Sequence, residues 1–237
     1  MGRVPGDGAR GLRQLTHVRQ HGQLTIESPM AETKKKHQRR AKGLVVLERS
    51  HPRMRALKRA GHVAEIHGNK LWDSSFLLMR QLGRRGLKRR ARVLEIGCGW
   101  GLLGLWINRE FGARVHGIDA DANVLPYLAL HAEVNGLEMT GEKKRFDQLT
   151  VDYLSKFDLV VGADICFWDE LGDQLFKLVR RARKAGVKTV MIADPCRPPF
   201  TDLAERCAKR FDGVTCHDVE IRRPVAASGQ VLVVDGA

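Results

Sequence analysis

From residue 92 onward the sequence predicts an α/β fold: a largely parallel sheet covered by helices on both faces. Three observations carry this. Short apolar runs alternate with amphipathic stretches of helical length. The first apolar run turns directly into glycines that open a helical stretch. The last two apolar runs are joined by a short Ala/Ser/Gly turn with no helix between them, which predicts an antiparallel pair.

Taken in order, Leu44-Val45-Val46-Leu47 reads as a small strand ahead of the main pattern. From Lys70 the run LWDSSFLLMRQL reads as a helix, with Asp73 or Ser74 able to cap it and Phe76, Leu77, Met79 and Leu82 on one side. The following GRRGLKRRAR (83–92) breaks that helix at its glycines and leads into a strand. Strands are expected at 92–96, 114–119, 143–147, 157–164 and 188–194, with helical stretches at 101–111, 122–135, 169–185 and 200–211 between them. The second stretch stops at Asn135-Gly136. The third has acids in its first turn, bases in its last and Gly186 just beyond, which suits the helix dipole and a glycine cap. The final pair is expected at 214–223 and 230–236.

Charge divides the chain. Residues 1–92 hold 23 basic and 6 acidic side chains, a balance of +17, whereas 93–237 hold 18 and 21, a balance of −3. Residues 1–43 lack sustained apolar periodicity and end in KKKHQRR, so they are expected to form a basic, disordered extension, with the folded domain spanning 44–237. The first 71 residues contain no Phe, Tyr or Trp, which argues against a base-stacking module, although RNA, an acidic protein surface or anionic lipid would all be attracted. No apolar run approaches the ~20 residues of a membrane span. The start has arginines but no apolar core, so a secretory signal is not expected. A mitochondrial transit peptide, or translation beginning at Met30, would also fit it. Five cysteines with no C-x-x-C pair predict reduced thiols in a cytoplasm-like compartment and no metal site.

The chemistry concentrates in Val93-Leu94-Glu95-Ile96-Gly97-Cys98-Gly99-Trp100-Gly101, a strand that runs into glycines at alternate positions. Bare backbone there lets a ligand lie against the main chain. A dinucleotide loop would need glycine at position 102, where Leu102 stands, and no Gly-Lys-Ser/Thr follows for a phosphate loop. Asp119, 22 residues after Gly97, ends the second strand, where a carboxylate can accept hydrogen bonds from both ribose hydroxyls.

With E-x-G-x-G-x-G after strand one and an acid after strand two, residues 70–237 resemble the class I S-adenosylmethionine-dependent methyltransferases. That resemblance implies a Rossmann-like, doubly wound, seven-stranded sheet of order 3-2-1-4-5-7-6 with strand seven antiparallel. It implies S-adenosyl-L-methionine as cofactor, with Gly97, Gly99 and Gly101 lining its methionine part, Glu95 supporting the ammonium and Asp119 the ribose. Asp147 would contact adenine, or simply cap a turn. Trp100 would pack beside the cofactor or wedge the first helix.

Asp164-Ile165-Cys166-Phe167, at the end of the fourth strand, resembles the D-x-x-[YF] motif of methyltransferase family 16 protein lysine methyltransferases. Trp72 ahead of its helix is similar to that group's Trp-containing segment. Ala193-Asp194-Pro195-Cys196-Arg197-Pro198 resembles the D-P-G-R-P stretch of the electron-transfer-flavoprotein β-subunit lysine methyltransferase branch and its bacterial relatives, with Phe167 and Cys196 as departures. The resemblance implies N-methylation of a protein lysine, with Asp164 and Phe167 catalytic and Trp72 and Asp164 also near the cofactor. Alternatives are a small-molecule or RNA N-methyltransferase, or a non-catalytic basic binding module. Residue by residue, Asp164 could instead cap the next helix, Asp194 and Arg197 could form a structural ion pair, and Trp168 could be a packing residue. Cys98 and Cys166 read as buried thiols, and His116 and His131 have no metal-ligand spacing.

Overall fold

The computed structural model describes residues 37–68 and 70–236. The expectation for residues 1–36 lies outside the described residues. Residues 37–43 do not form part of an extension: Gln38–Ala41 (β1) pairs antiparallel with Leu44–Leu47 (β2), so the boundary drawn at 43 runs through a hairpin. Lys42 and Gly43 both take positive φ at its tip, as two-residue hairpin turns require.

A second element escapes the sequence pattern. Helix α1, Pro52–Arg59, has proline in its first turn, an N–H of Arg53 donated to the His51 ring, and Lys58 and Arg59 at its carboxyl end. Only Met54 on it is buried, too little to print an apolar period. Helix α2 is Ser74–Arg85. It runs through Gly83 and ends at Gly86, whose φ is +76, so one of the two expected helix breakers sits inside the helix.

The main sheet comprises β3 (Arg92–Ile96), β4 (Arg114–Asp119), β5 (Thr140–Lys143), β6 (Leu159–Ala163), β7 (Thr189–Asp194), β8 (Val214–Ile221) and β9 (Ala227–Asp235). Its order is β5-β4-β3-β6-β7-β9-β8, with β9 antiparallel to β7 and to β8. Counted from β3 this is the predicted order. The helices α3 (Leu102–Phe111), α4 (Leu125–Asn135), α5 (Val151–Leu154), α6 (Asp169–Lys184) and α7 (Pro198–Arg210) fill the connections. The third strand of this sheet lies three residues upstream of its predicted place. Its sequence, TGEK, is a polar edge strand that pairs His116–Asp119, and Phe146 instead packs against the core from a 3-10 turn.

Neighbouring residues of one strand point to opposite faces, so the strands feed two cores. Val93, Val161, Met191 and Val233 pack with α2 and α3, while Leu94, Val160, Ile192 and Leu232 pack with α6 and α7. The β1–β2 hairpin stands apart from this sheet and docks on α4. Asn135 accepts from Val45 N–H (2.7 Å) and donates to its carbonyl (2.9 Å), and Leu47 N–H donates to His131 Nε2 (3.2 Å). His131 Nδ1 meets the Tyr127 carbonyl at 2.8 Å, so the ring must be the neutral tautomer with its proton on Nδ1. Burial lowers its pKa and favours that form.

Phe76 is fully buried on α2, which lies against β7, β8 and β9. Phe76→Ala should cost about 3–5 kcal/mol by transfer loss plus cavity, read as a lowered urea midpoint at unchanged slope.

Candidate active site

A cleft of about 340 Å3 opens at the carboxyl ends of β3, β4 and β6. Each strand delivers a carboxylate to it: Glu95, Asp119 and Asp164 all line the cleft and are 5%, 9% and 5% exposed. Glu95 Oε2 accepts from the N–H of Gly104, the third residue of α3, at 3.0 Å. Burial pushes the Glu95 carboxyl up to about 8, against the pull of that N–H, with the nearby Asp119 charge adding to the rise. It is therefore protonated at neutral pH until a cation reaches it.

The turn between β3 and α3 shows why glycines stand there. Gly97 has φ +65, and a Cβ on it would lie 2.5 Å from Ile165 Cγ2. Gly99 has φ +50 with nothing within 4 Å of a Cβ position, so its open side faces free space while its backbone lines the cleft. Gly101 departs from expectation: it starts α3 at φ +76, a Cβ there would lie 2.8 Å from Leu128 Cγ, and it does not line the cleft. The left-handed start of α3 and the approach of Leu128 each require glycine there.

Asp119 Oδ2 accepts from Gly99 N–H (2.9 Å) and Oδ1 from Asp121 N–H (3.0 Å). Burial raises its pKa while these donors oppose the rise. Asp121 continues the chain: its carboxylate accepts from Glu65 N–H (2.6 Å) and Asn123 N–H (2.9 Å). Segment 62–68 is thus strapped across the mouth, with Tyr127 Oη donating to the His62 carbonyl at 2.6 Å and Trp72 Nε1 to that of His67 at 3.0 Å. Ile66, His67 and Gly68 of this strap line the cleft.

Asp147 is not in the cleft lining. The upstream shift of β5 leaves it exposed in a 3-10 turn, its carboxylate paired with Arg145 at 3.0 Å, and Arg145 and Phe146 line the cleft in its place. Of its two readings, the turn residue is the one the geometry supports.

Asp164 takes φ +55, a left-handed position that Asp tolerates better than most side chains. Its Oδ2 accepts from Ser74 N–H (3.1 Å) and its Oδ1 from Arg197 Nη2 (2.9 Å). It therefore caps α2, not α6, the next helix along the chain. Arg197 also donates to Asp194 through Nη1 (2.6 Å) and its backbone N–H (2.8 Å). The Asp194–Arg197 pair is real and extends to Asp164. Asp194 is fully buried, and burial, only partly opposed by Arg197, raises it to about 6.

Aromatic rings close the other wall. Phe167 stacks on His67 at 4.5 Å and meets Trp72 edge-on at 5.3 Å, with the Arg197 guanidinium 4.5 Å from its centre. Trp168, 44% exposed, stands at the rim and packs against Phe167, as a partly exposed packing residue would, while also lining the cleft. The Lys70 ammonium rests 3.9 Å over Trp72. Cys98 and Cys166 are buried thiols whose pKa values burial raises, Cys166 to about 12, which makes them poor nucleophiles. Among the described residues no group of three or more His, Cys, Asp or Glu could hold a metal ion, and no helix is long and apolar enough to cross a membrane.

Sequence reasoning missed Asp121, His67 and the bridging role of Arg197. Asp121 had a signal, a second acid two residues after Asp119. His67 had none, because only the strap brings it to Phe167.

Residues 93–186 match the family described as methyltransferase domain. A phosphoethanolamine N-methyltransferase of Arabidopsis thaliana is 31% identical over 151 residues, 63% of this chain and 29% of that protein. A ubiquinone biosynthesis O-methyltransferase of Ruegeria pomeroyi is 36% identical over 86 residues, covering 36% and 34%. The chain thus spans about a third or less of the length of these relatives. Among solved structures, TrmN from Thermus thermophilus superposes with a TM-score of 0.55 at 19% identity, covering 69% of this chain and 49% of that one. The Pyrococcus abyssi tRNA (uracil-54, C5)-methyltransferase in complex with S-adenosyl-L-homocysteine gives 0.55 at 17%, covering 83% and 43%.

Glu95 generates a pH signature. Its folded pKa lies above its unfolded value, so the folded state binds the extra proton between about pH 4.5 and 8, and stability falls as pH rises across that window. Glu95→Gln should flatten the fall in unfolding free energy over this range by at most about 1.4 kcal/mol per pH unit, read from urea midpoints across the pH series. Asp119 and Asp194 shift in the same sense, so a residual slope should persist.

Proposed function

We propose that this chain, which carries a class I methyltransferase domain, is an S-adenosylmethionine-dependent N-methyltransferase acting on lysine side chains of a protein. The single observation behind the cofactor is that Glu95 and Asp119, both buried, line one cleft with the open backbone at Gly99. This is a fit of the residues present: an acid for an ammonium, an acid for a diol, and a bare main chain between them. When bound, the sulfonium of this cofactor supplies an electrophilic methyl group. Glu95, ionising as it meets the ammonium, Gly97 and Gly99, and Asp119 would hold it.

The lysine reading rests on the wall opposite. A lysine side chain has an apolar stem and a cationic tip, and His67, Trp72, Phe167 and Trp168 form an aromatic wall that accepts both. The chain's own Lys70 ammonium already lies over one of these rings. To react, the amine must arrive neutral, although a free lysine titrates near 10.4. Ring burial disfavours the charged form. Asp164 orients the amine through its remaining lone pairs, and its pairing with Arg197 keeps its charge from locking the amine as ammonium. The proton then leaves to solvent past the exposed rim. Proximity and alignment supply most of the rate. The D-x-x-F and D-P-C-R-P segments, now joined through Arg197, support the family 16 resemblance.

A second reading, a small-molecule amine as acceptor, is favoured by the phosphoethanolamine N-methyltransferases among the relatives, which cover 63% of this chain.

Incubating the protein with labelled cofactor and a cell lysate tests the acceptor. Label in polypeptide lysines supports the proposal, whereas label confined to small molecules transfers it to the second reading. Asp119→Ala should weaken cofactor binding by about 10- to 100-fold in calorimetry. Arg197→Gln should lower kcat while leaving cofactor affinity within about twofold, since Arg197 touches Asp164 and Phe167 rather than the glycine turn.

A further inference from the structure

One amine of this chain already stands in the cleft that an acceptor would enter. Lys70 lines it together with Gly97, Gly99, Asp119 and Asp164. Its ammonium lies 3.9 Å from the centre of the Trp72 ring, which belongs to the same lining. That ring meets Phe167 edge-on at 5.3 Å, so the lysine tip rests on the aromatic wall and not on an unrelated surface.

The backbone that carries Lys70 is held close to the reacting groups. Trp72 Nε1 donates to the His67 carbonyl at 3.0 Å, and Ser74 N–H donates to Asp164 Oδ2 at 3.1 Å. Lys70 lies between these tethers, and the four residues from Lys70 to Ser74 can span at most about 14 Å. A lysine has a flexible four-carbon stem, so its amine can leave the ring face and sample the cleft while the backbone stays in place. Among the described residues no carboxylate forms an ion pair with Lys70. Such a pair would have held the amine as ammonium. The residue is also exposed, so water can take the proton that the amine must shed before it reacts.

We infer that Lys70 is a modification site of this chain, methylated in the cleft of its own molecule. The inference rests on the lysine reading above and names one acceptor for it. Nζ gives a proton to solvent and forms a bond to the methyl carbon of S-adenosylmethionine. The carbon–sulfur bond breaks as it does so, and its electron pair stays on sulfur as a thioether. Donor and acceptor are carried by one molecule, so proximity replaces a bimolecular encounter. Methylation keeps the charge on nitrogen and adds apolar surface, so the product retains its attraction to the Trp72 face.

The test uses the full chain made by cell-free translation without added S-adenosylmethionine, so that Lys70 starts unmodified. The cofactor is then added, and peptides of the protein itself are read by mass spectrometry. Methylation is expected at Lys70, at a rate per molecule that changes by less than about twofold over an about tenfold dilution, as transfer within one chain requires. Lys70→Arg should remove the signal. Lys88→Arg, at an exposed lysine outside the cleft lining, should leave it unchanged. Methylation spread evenly over exposed lysines overturns the proposal. A rate per molecule that falls in proportion to dilution does so too, since the acceptor would then be a second copy. An unmodified Lys70 also overturns it, and a parallel sample containing lysate separates the causes. Labelled lysate lysines leave the lysine reading standing, whereas their absence removes that reading as well. Faster labelling of lysate by Lys70→Met, with Lys70 itself unmodified in the parent chain, makes the side chain a blocking occupant and likewise overturns the proposal.

Discussion

Three carboxylates buried at the ends of adjacent parallel strands are the constraint around which this molecule is arranged. Parallel pairing sets Glu95 opposite Gly117 on β4 and Val161 on β6, so the acids at or just beyond these strand ends converge whether or not their charges favour it. Such charges are costly away from water unless hydrogen bonds or counter-charges answer them. Each is answered differently. Glu95 has one backbone donor and remains protonated, Asp119 has two from turns on either side, and Asp164 has an N–H and a guanidinium. The left-handed backbone of the glycine turn, the positive φ of Asp164 and the pairing of buried Asp194 with Arg197 accompany those answers.

The sheet was legible because its strands are buried on both faces and read as continuous apolar runs bounded by turns. The antiparallel close was legible because no helix fits between the last two strands. What failed to print was structure held by few apolar contacts. Helix α1 buries Met54 alone, and the edge strand β5 has only polar side chains to show. At the site, residues on one strand-to-helix turn were found because glycine and acid spacing is local. Gly101 and Asp147 lie outside the cleft lining: the same glycine spacing also meets the approach of Leu128, and β5 ends earlier than its expected place, leaving Asp147 in an exposed turn. The Arg197 bridge joins residues 33 positions apart, which no local pattern encodes.

The N-terminal elements divide the surface in two. On one side of the strap lies an acidic and aromatic cleft, on the other a basic cavity, with Trp100 between them and stacked into α4 through Tyr127 and His131. The hairpin that holds α4 relies on the neutral form of that same histidine. The glycine turn and α4 therefore share one stack of rings, and Leu47 of the hairpin and Met54 of α1 complete the apolar cluster around it.

The Asp121 N–H donates to Asp119, and the N–H groups of Glu65 and Ile66 donate to the Asp121 carboxylate, so the three contacts form a single series. The strap between the two chambers is thus tethered at the end of β4: its backbone is held by the Asp121 carboxylate, and the Asp121 amide by Asp119, so the wall of the cleft and one of the acids inside it share a single anchor.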